Sequence, residues 1–457
     1  MKNRADRSKK KKTPPHRRPT GLTAVVANES GEIFDLDGYA AVGSDGPIYV
    51  PLTTDNTIDL PHGSELMFLP DRVPMLLHLQ TGRVGPVDRN PYARRERIFP
   101  VAAFNSPGVM VALTCAFEET PDASILPLFS YGAVGWTASG FRSAAIVVDM
   151  EPRQDLRRMP RQGVVSGVDR IRRQLPTNRL ARHLEHCALT YGCPAGKNFF
   201  LGRYEAPLPT SRTCNAHCLG CISLQDDTRL TSSQNRIGFT PSAKEIAAVA
   251  LAHIQRVKHA VVSFGQGCEG DPLMAAPVIG PAIAMIRQQT LAGTINMNTN
   301  ASLPERLETL FDAGLDSIRV SMNSVREPFY NAYFRPSGYR FSQVIDSIDL
   351  AIARQRHVAV NYLNCPGFTD SPEEAAALCV FLEAHPVHLI QWRNLNFDPR
   401  RYLDRMLQAG PIGPPVGMHR LLQMVRKRFP DLRHGYFNPP KERFPDALKT
   451  ENEDAAS

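Results

Sequence analysis

Between residues 21 and 150 the apolar positions fall in short runs, several of them alternating with polar ones: TAVVA, PIYVPL, ELMFLP, PMLLHLQ, VMVALTCAF and FRSAAIVVD. Gly, Pro, Asp and Asn break the runs. Period-two alternation between closely spaced turn residues predicts a small all-β domain over 21–150. Residues 151–204 change character, with nine arginines against four acidic residues in 151–186 and helix-like stretches around Val168–Leu175 and Arg179–Leu189. They read as a basic helical linker.

From about residue 205 the pattern becomes a regular alternation of short Val/Ile-rich runs and longer amphipathic ones. Strands are predicted just before Cys214 and over HAVVSFG (259–265), TINMNTN (294–300), SIRVSMN (317–323), HVAVNYLN (357–364) and HLIQWRNLN (388–396). Helices such as EIAAVALAHIQRV, LPERLETLFDAG, FSQVIDSIDLAIARQ and SPEEAAALCVFLEAH lie between them. Six such units, joined by right-handed crossovers, predict an α/β fold with a parallel sheet, a partial (β/α)6 barrel over 205–400. Residues 401–457 are expected to form one helix, MHRLLQMVRKRF, and a disordered acidic tail.

Composition narrows the picture in two places. The chain has 457 residues and a formal charge of +8. Residues 1–20, with nine Lys/Arg and one Asp, already account for all of it. The charge thus predicts a solvated, disordered basic tail and lends only weak support to nucleic-acid binding. No apolar run of about 18 residues occurs, and the lysine-rich N-terminus lacks the apolar stretch of a signal peptide. A cytoplasmic protein with no membrane partner is the expectation.

Nine cysteines are few for this length, yet Cys214, Cys218 and Cys221 crowd into eight residues as C-x3-C-x2-C. Such crowding favours metal ligation over disulfides. A loop this short can place three thiolates on neighbouring corners of one [4Fe-4S] cubane, and three ligands leave the fourth iron open to a small molecule. His217 offers an alternative, a closed Cys3His zinc site without catalysis. A second alternative keeps the cluster but gives it a binding or electron-transfer role.

The spacing TCNAHCLGC after a first strand resembles the radical S-adenosylmethionine (SAM) superfamily, and a second match, FGQGCEGDP (264–272), lies at the end of the next strand. That resemblance implies a [4Fe-4S] cluster on Cys214, Cys218 and Cys221, with S-adenosylmethionine on the open iron. It also implies that Gly265, Gly267, Glu269, Gly270 and Asp271 form the turn that meets the methionine ammonium, glycine allowing backbone to approach closely. Asp271 aligns with the family's acidic residue, and Glu269 stands where the family has glycine, so two carboxylates compete for the contact. Asn298, Thr299 and Asn300 on the third strand, with Arg319, Ser321 and Asn323 on the fourth, are implied contacts for the ribose and carboxylate. The last three share one face by strand alternation.

Gln391, Arg393 and Asn394 end the sixth strand and are expected to face cofactor or substrate. Where the family often has an aromatic residue before the third cysteine, this chain has Gly220. Cys268 and Cys365 fall at predicted strand ends, as buried thiols or hydrogen-atom donors, and Cys187 and Cys193 read as at most a pair. The implied activity is reductive cleavage of S-adenosylmethionine to a 5'-deoxyadenosyl radical that abstracts hydrogen from an unspecified substrate. The electron comes from a low-potential donor such as flavodoxin or ferredoxin.

Overall fold

The computed structural model describes residues 21–444. The basic tail and the last dozen residues, with the disorder expected of both, lie outside them. Among the described residues two sheets organise the chain. The first is antiparallel and thirteen-stranded, built from segments between Thr23 and Ser143, with a two-stranded ribbon, Val109–Val111 against Ala145–Val147, beside it. The second is parallel and seven-stranded, in strict sequence order.

That second sheet curls as a half-barrel: Glu205–Pro207, Val261–Phe264, Thr294–Thr299, Ser317–Met322, His357–Asn364, Leu389–Asn394 and Arg433–Gly435. The first six are the strands that alternation predicts. The seventh is an addition, three residues from a stretch read only as Pro-rich tail. Its pairing with Leu389–Gln391 brings Asn438 over the barrel interior. Short polar strands carry no periodicity to detect, which is why it is invisible in the sequence.

The linker forms three helices, α1 (Arg161–Gln174), α2 (Arg179–Leu189) and α3 (Pro194–Leu201). The helices that flank the barrel strands are α4 (Ala243–Ile254), α5 (Ala276–Gln289), α6 (Pro304–Ala313), α7 (Glu327–Phe334), α8 (Phe341–Ala353) and α9 (Pro372–Ala384). Two more follow, α10 (Pro399–Ala409) and α11 (Met418–Arg428). Local chemistry sets their ends. Ser242 and Glu245 close a capping box on α4, and Pro304 starts α6 while Gly314, at φ +111°, ends it.

Strand alternation divides the barrel strands into two chemistries. On the fourth strand Ile318, Val320 and Met322 are fully buried in the apolar core beneath the helices, whereas Arg319 and Ser321 alternate with them and face the other side. The interior face is accordingly a polar network. Asn296 donates to Ser263 and to Asn298, Ser317 donates to Asn296, and Asn438 donates to Glu205, Ser263 and Asn298.

The antiparallel region rests on the carboxyl ends of the fifth and sixth barrel strands. Asn394 uses both ends of its amide, accepting from the Val111 N–H and donating to the Val109 carbonyl, each at 2.8 Å. Arg72, wholly buried, bridges Glu119 of the β region (2.8 Å) and Asp398 at the start of α10 (3.4 Å). Gly46 and Gly367 meet backbone to backbone, so closely that a Cβ on Gly367 would lie 2.2 Å from the Gly46 nitrogen. No described helix is long and apolar enough to cross a membrane.

Candidate active site

The cysteine loop is laced onto two neighbours. On one side the end of α7 supplies carbonyls: the His217 N–H donates to Phe334 O (2.9 Å) and the Leu219 N–H to Tyr333 O (3.1 Å). Arg335, held in the left-handed region at φ +47°, donates back to the His217 carbonyl. On the other side stands the glycine turn, whose Gly270 and Asp271 N–H groups donate to Ser211 O (2.7 Å) and Thr213 O (3.0 Å). A Cβ on Gly270 would lie 2.0 Å from the Thr213 oxygen. Cys214 is the next residue, so the turn and the cluster loop are one construction.

The three thiols converge. Burial, then Asp271, pushes Cys214 up to about 11, and burial followed by the charges of Cys214 and Cys221 pushes Cys218 well above its ordinary value. Without a metal Cys214 and Cys218 hold their protons. An iron cluster replaces those protons and neutralises the crowded charge, so the donor set fits a cluster. Arg236, which no motif singles out, places its guanidinium 3.6 Å from the Cys221 sulfur and also donates to Ser223.

His217 does not join the cysteines. Its Nδ1 lies 3.2 Å from an Asp226 carboxylate oxygen, and the ring is about half exposed, 47%. The Cys3His alternative at this loop lacks its fourth ligand. Gly220 also has a physical reason. A Cβ there would sit 2.9 Å from the Tyr333 hydroxyl and 3.1 Å from Asn396 Oδ1. The loop thus meets an aromatic ring from α7 instead of carrying its own. Tyr333 is raised well above the tyrosine range by burial and by the thiols of Cys218 and Cys221.

Both carboxylates of the glycine turn are consumed inside the fold. Glu269 accepts four backbone N–H groups, from Thr210 and Ser211 on one oxygen and Gly265 and Gln266 on the other, all at 2.7–2.8 Å. Burial raises it to about 7 while those four donors pull the other way. Asp271 accepts from the Leu273 and Asn300 N–H groups and from the Thr299 hydroxyl. Gly265, at φ +78°, passes so close to the third strand that a Cβ would fall 1.7 Å from the Asn298 carbonyl oxygen. Gly267 instead faces side chains, the Ile222 Cδ1 lying 2.5 Å from where its Cβ would sit.

The strand-end residues divide. Asn298 donates to Gly265 O and Asn300 donates to Asn215 in the cysteine loop, so both tie the third strand to the site. Arg319 lies in the interior, donating to Gln391 (2.8 Å), with its Nε buried and unpartnered. Burial and then Arg393 lower it to about 10. Arg393 stacks on Tyr436 at 4.3 Å. Asn323 parts company with Arg319 and Ser321: its amide, fully buried, donates to Phe329 O and to the Tyr402 hydroxyl. It braces α7 against α10. Asn394 is spent on the β region, as described above. Cys365 is buried against Pro366 O, and Cys268 turns toward Cys187 and His183, away from the interior.

Residues 208–379 match the model of the Radical SAM superfamily. The chain carries a radical SAM domain. The family implied by the cysteine spacing is the family matched, and its members are enzymes that use a [4Fe-4S] cluster and S-adenosylmethionine. Similar solved structures include a radical SAM methyltransferase from Sphaerobacter thermophilus, 17% identical over 51% of this chain and 66% of that one, TM-score 0.37. Streptococcus suis SuiB is 14% identical over 56% and 53%, TM-score 0.37, and HydG, a maturase of the [FeFe]-hydrogenase, 14% over 66% and 78%, TM-score 0.33. The chain thus spans between half and two thirds of the first two. No curated protein matches the chain. The radical SAM match stops short of both the β region and the α10–α11 segment, which the barrel holds in place.

A cavity of about 590 Å³ opens between the β region and α10, lined among others by Ser44, Tyr49, Phe117, Gly367, Arg400 and Leu403. Neither the cysteine loop nor the glycine turn borders it.

Proposed function

We propose that this radical SAM enzyme holds a [4Fe-4S] cluster on Cys214, Cys218 and Cys221 and cleaves S-adenosylmethionine reductively to abstract a hydrogen atom from its substrate. The observation that carries this reading is the lacing of the cysteine loop to the glycine turn through Gly270 and Asp271. When bound, cluster and cofactor supply one-electron cleavage of the sulfonium C–S bond and the 5'-deoxyadenosyl radical.

The chain's own part is placement. Gly265 and Gly270 let backbone approach where any side chain would collide, which leaves the turn's main chain, Gly267 included, as the ammonium contact. Glu269 and Asp271 act on that contact indirectly, by fixing the turn. Arg319 is the interior cation for a carboxylate, with Arg393 near it and its own Nε in want of an acceptor. Asn298, Asn300 and Ser321 line the third and fourth strands beside it. The β region closes the barrel mouth over the fifth and sixth strands, which keeps water and oxygen from a reactive carbon.

The test is anaerobic reconstitution with iron and sulfide, followed by reduction with a low-potential donor of flavodoxin or ferredoxin type in the presence of S-adenosylmethionine. About four irons on this loop and formation of 5'-deoxyadenosine are expected, with both lost in Cys218→Ala. Cleavage that survives Cys218→Ala would place the cluster elsewhere. The same assay in the cytoplasmic fraction of the native host addresses localisation.

A further inference from the structure

Outside the cysteine loop the fold assembles a second set of soft donors that the radical SAM reaction does not use. His183 Nε2 and the sulfurs of Cys187 and Cys268 all lie within 4.8 Å of one another. His183 and Cys187 are one helical turn apart on α2, with 3.5 Å between nitrogen and sulfur. Cys268 comes from the glycine turn, eighty-one residues later in the chain and between Gly267 and Glu269. Both thiols are buried, at 3% and 7% exposure.

A further thiol lies near them. Cys193, at the start of α3, interacts electrostatically with the thiols of both Cys187 and Cys268. Its N–H donates to the Cys187 carbonyl at 3.0 Å, which ties the start of α3 to the ligand-bearing end of α2.

We infer that His183, Cys187 and Cys268 form a second metal centre, a Cys2His set for a single thiophilic ion of the zinc(II) class. Metal–sulfur and metal–nitrogen bonds of about 2.3 and 2.0–2.1 Å at tetrahedral angles put nitrogen and sulfur about 3.5 Å apart. That is the spacing of His183 and Cys187. A four-iron cluster needs its cysteine sulfurs further apart, because each binds a different iron. Three protein ligands from two separate segments hold the ion, and water completes the tetrahedron.

The centre would cross-link α2 to the glycine turn. The Cys268 carbonyl accepts the Ile237 N–H (2.8 Å), and Gly267 abuts Ile222 just past the third cluster cysteine. The ion therefore pins the linker helices to the cofactor turn, a positioning role, and binding releases the thiol protons.

The test uses full-length protein in which Cys214, Cys218 and Cys221 are all replaced by alanine, so that iron on the first loop cannot contribute. Elemental analysis should give one zinc, or one iron without acid-labile sulfide, per chain, the two results upholding the centre and identifying its ion. Cobalt(II) exchange should produce the visible bands and thiolate charge transfer of a tetrahedral site. Adding His183→Ala or Cys187→Ser should weaken metal retention at least tenfold against a chelator. If those variants fail to fold, the cobalt spectrum of the parent decides. A Cys187–Cys268 disulfide, several irons with sulfide, or no bound metal would each overturn the proposal. Because the first loop is deleted, none of these outcomes depends on the proposed activity.

Discussion

Gly270→Ala offers the sharpest test of the claim that glycine turn and cysteine loop are one construction. The added methyl would sit 2.0 Å from the Thr213 oxygen and 2.4 Å from its carbonyl carbon. Ordinary contact for a Cβ begins near 3.4 Å. The two backbones must therefore separate by more than an ångström. That separation breaks the hydrogen bonds from Gly270 to Ser211 and from Asp271 to Thr213. Two net hydrogen bonds of about 1 kcal/mol each, plus about 1–3 kcal/mol of overpacking, give about 3–5 kcal/mol. Because Thr213 precedes Cys214, the displacement reaches the first cluster ligand directly.

The assay pairs urea unfolding of the apoprotein with iron content after anaerobic reconstitution. Gly238→Ala is the control, since a Cβ there meets nothing within 4 Å and its backbone is not left-handed. The control should match wild type within about 0.5 kcal/mol. Gly270→Ala should lose the stated energy and most of its iron. Apoprotein stability unchanged by Gly270→Ala, with full iron content, would refute the reasoning: backbone contact at 270 would then not hold Cys214.

Three further outcomes follow from the same structure. Asn394→Ala removes both amide bonds to Val109 and Val111; stability should fall by about 2–4 kcal/mol, with faster amide exchange at Val111 as the local readout. The facing carboxyls of Asp45 and Asp370, each raised by burial and then, for Asp45, by its neighbour's charge, retain a proton that the unfolded chain gives up near pH 4. The folded state then binds more protons at this pair, so the pair's contribution to stability is greatest at low pH and declines as pH rises above about 4. Asp45→Asn should flatten that slope in urea titrations across pH. Tyr333→Phe keeps the ring and removes the hydroxyl beside Gly220. A cost of about 1 kcal/mol by thermal unfolding is expected, with the iron content of the loop retained.

How much of this was legible in the sequence differs by element. The six barrel strands and their helices announce themselves because each strand buries one face of Val, Ile or Met while its partner helix repeats apolar residues every three or four positions. Cys214, Cys218 and Cys221 are local in sequence, and so is the glycine turn. What stayed hidden depends on contacts across long separations. Cys268 meets Cys187 and His183 only because the second strand ends beside α2, and no spacing rule reports a distance of eighty residues. Arg236 and Tyr333 reach the cysteine loop from elements whose patterns look like ordinary helix and loop. Asn323 shows the opposite limit. Alternation assigns it the face of Arg319, but it lies one residue past the strand's end, where the pleat no longer sets direction.

The two acidic residues of the glycine turn teach the same lesson about function. On sequence, Glu269 and Asp271 compete as the ammonium's partner, because a carboxylate near a cation is the simplest electrostatic reading. In the fold, seven donors already occupy them: four backbone N–H groups on Glu269, and two backbone N–H groups and a hydroxyl on Asp271. A buried carboxylate so engaged is stable only while its donors stay, so its first duty is to the loops that supply them. Those loops are the end of the first strand at Thr210 and Ser211, the turn at Gly265 and Gln266, and the third strand's end at Thr299 and Asn300. Each leads to a different wall of the proposed cofactor site. Replacing Glu269 would therefore disturb the first two of these walls and replacing Asp271 the third, and loss of activity in either variant would report on the scaffold.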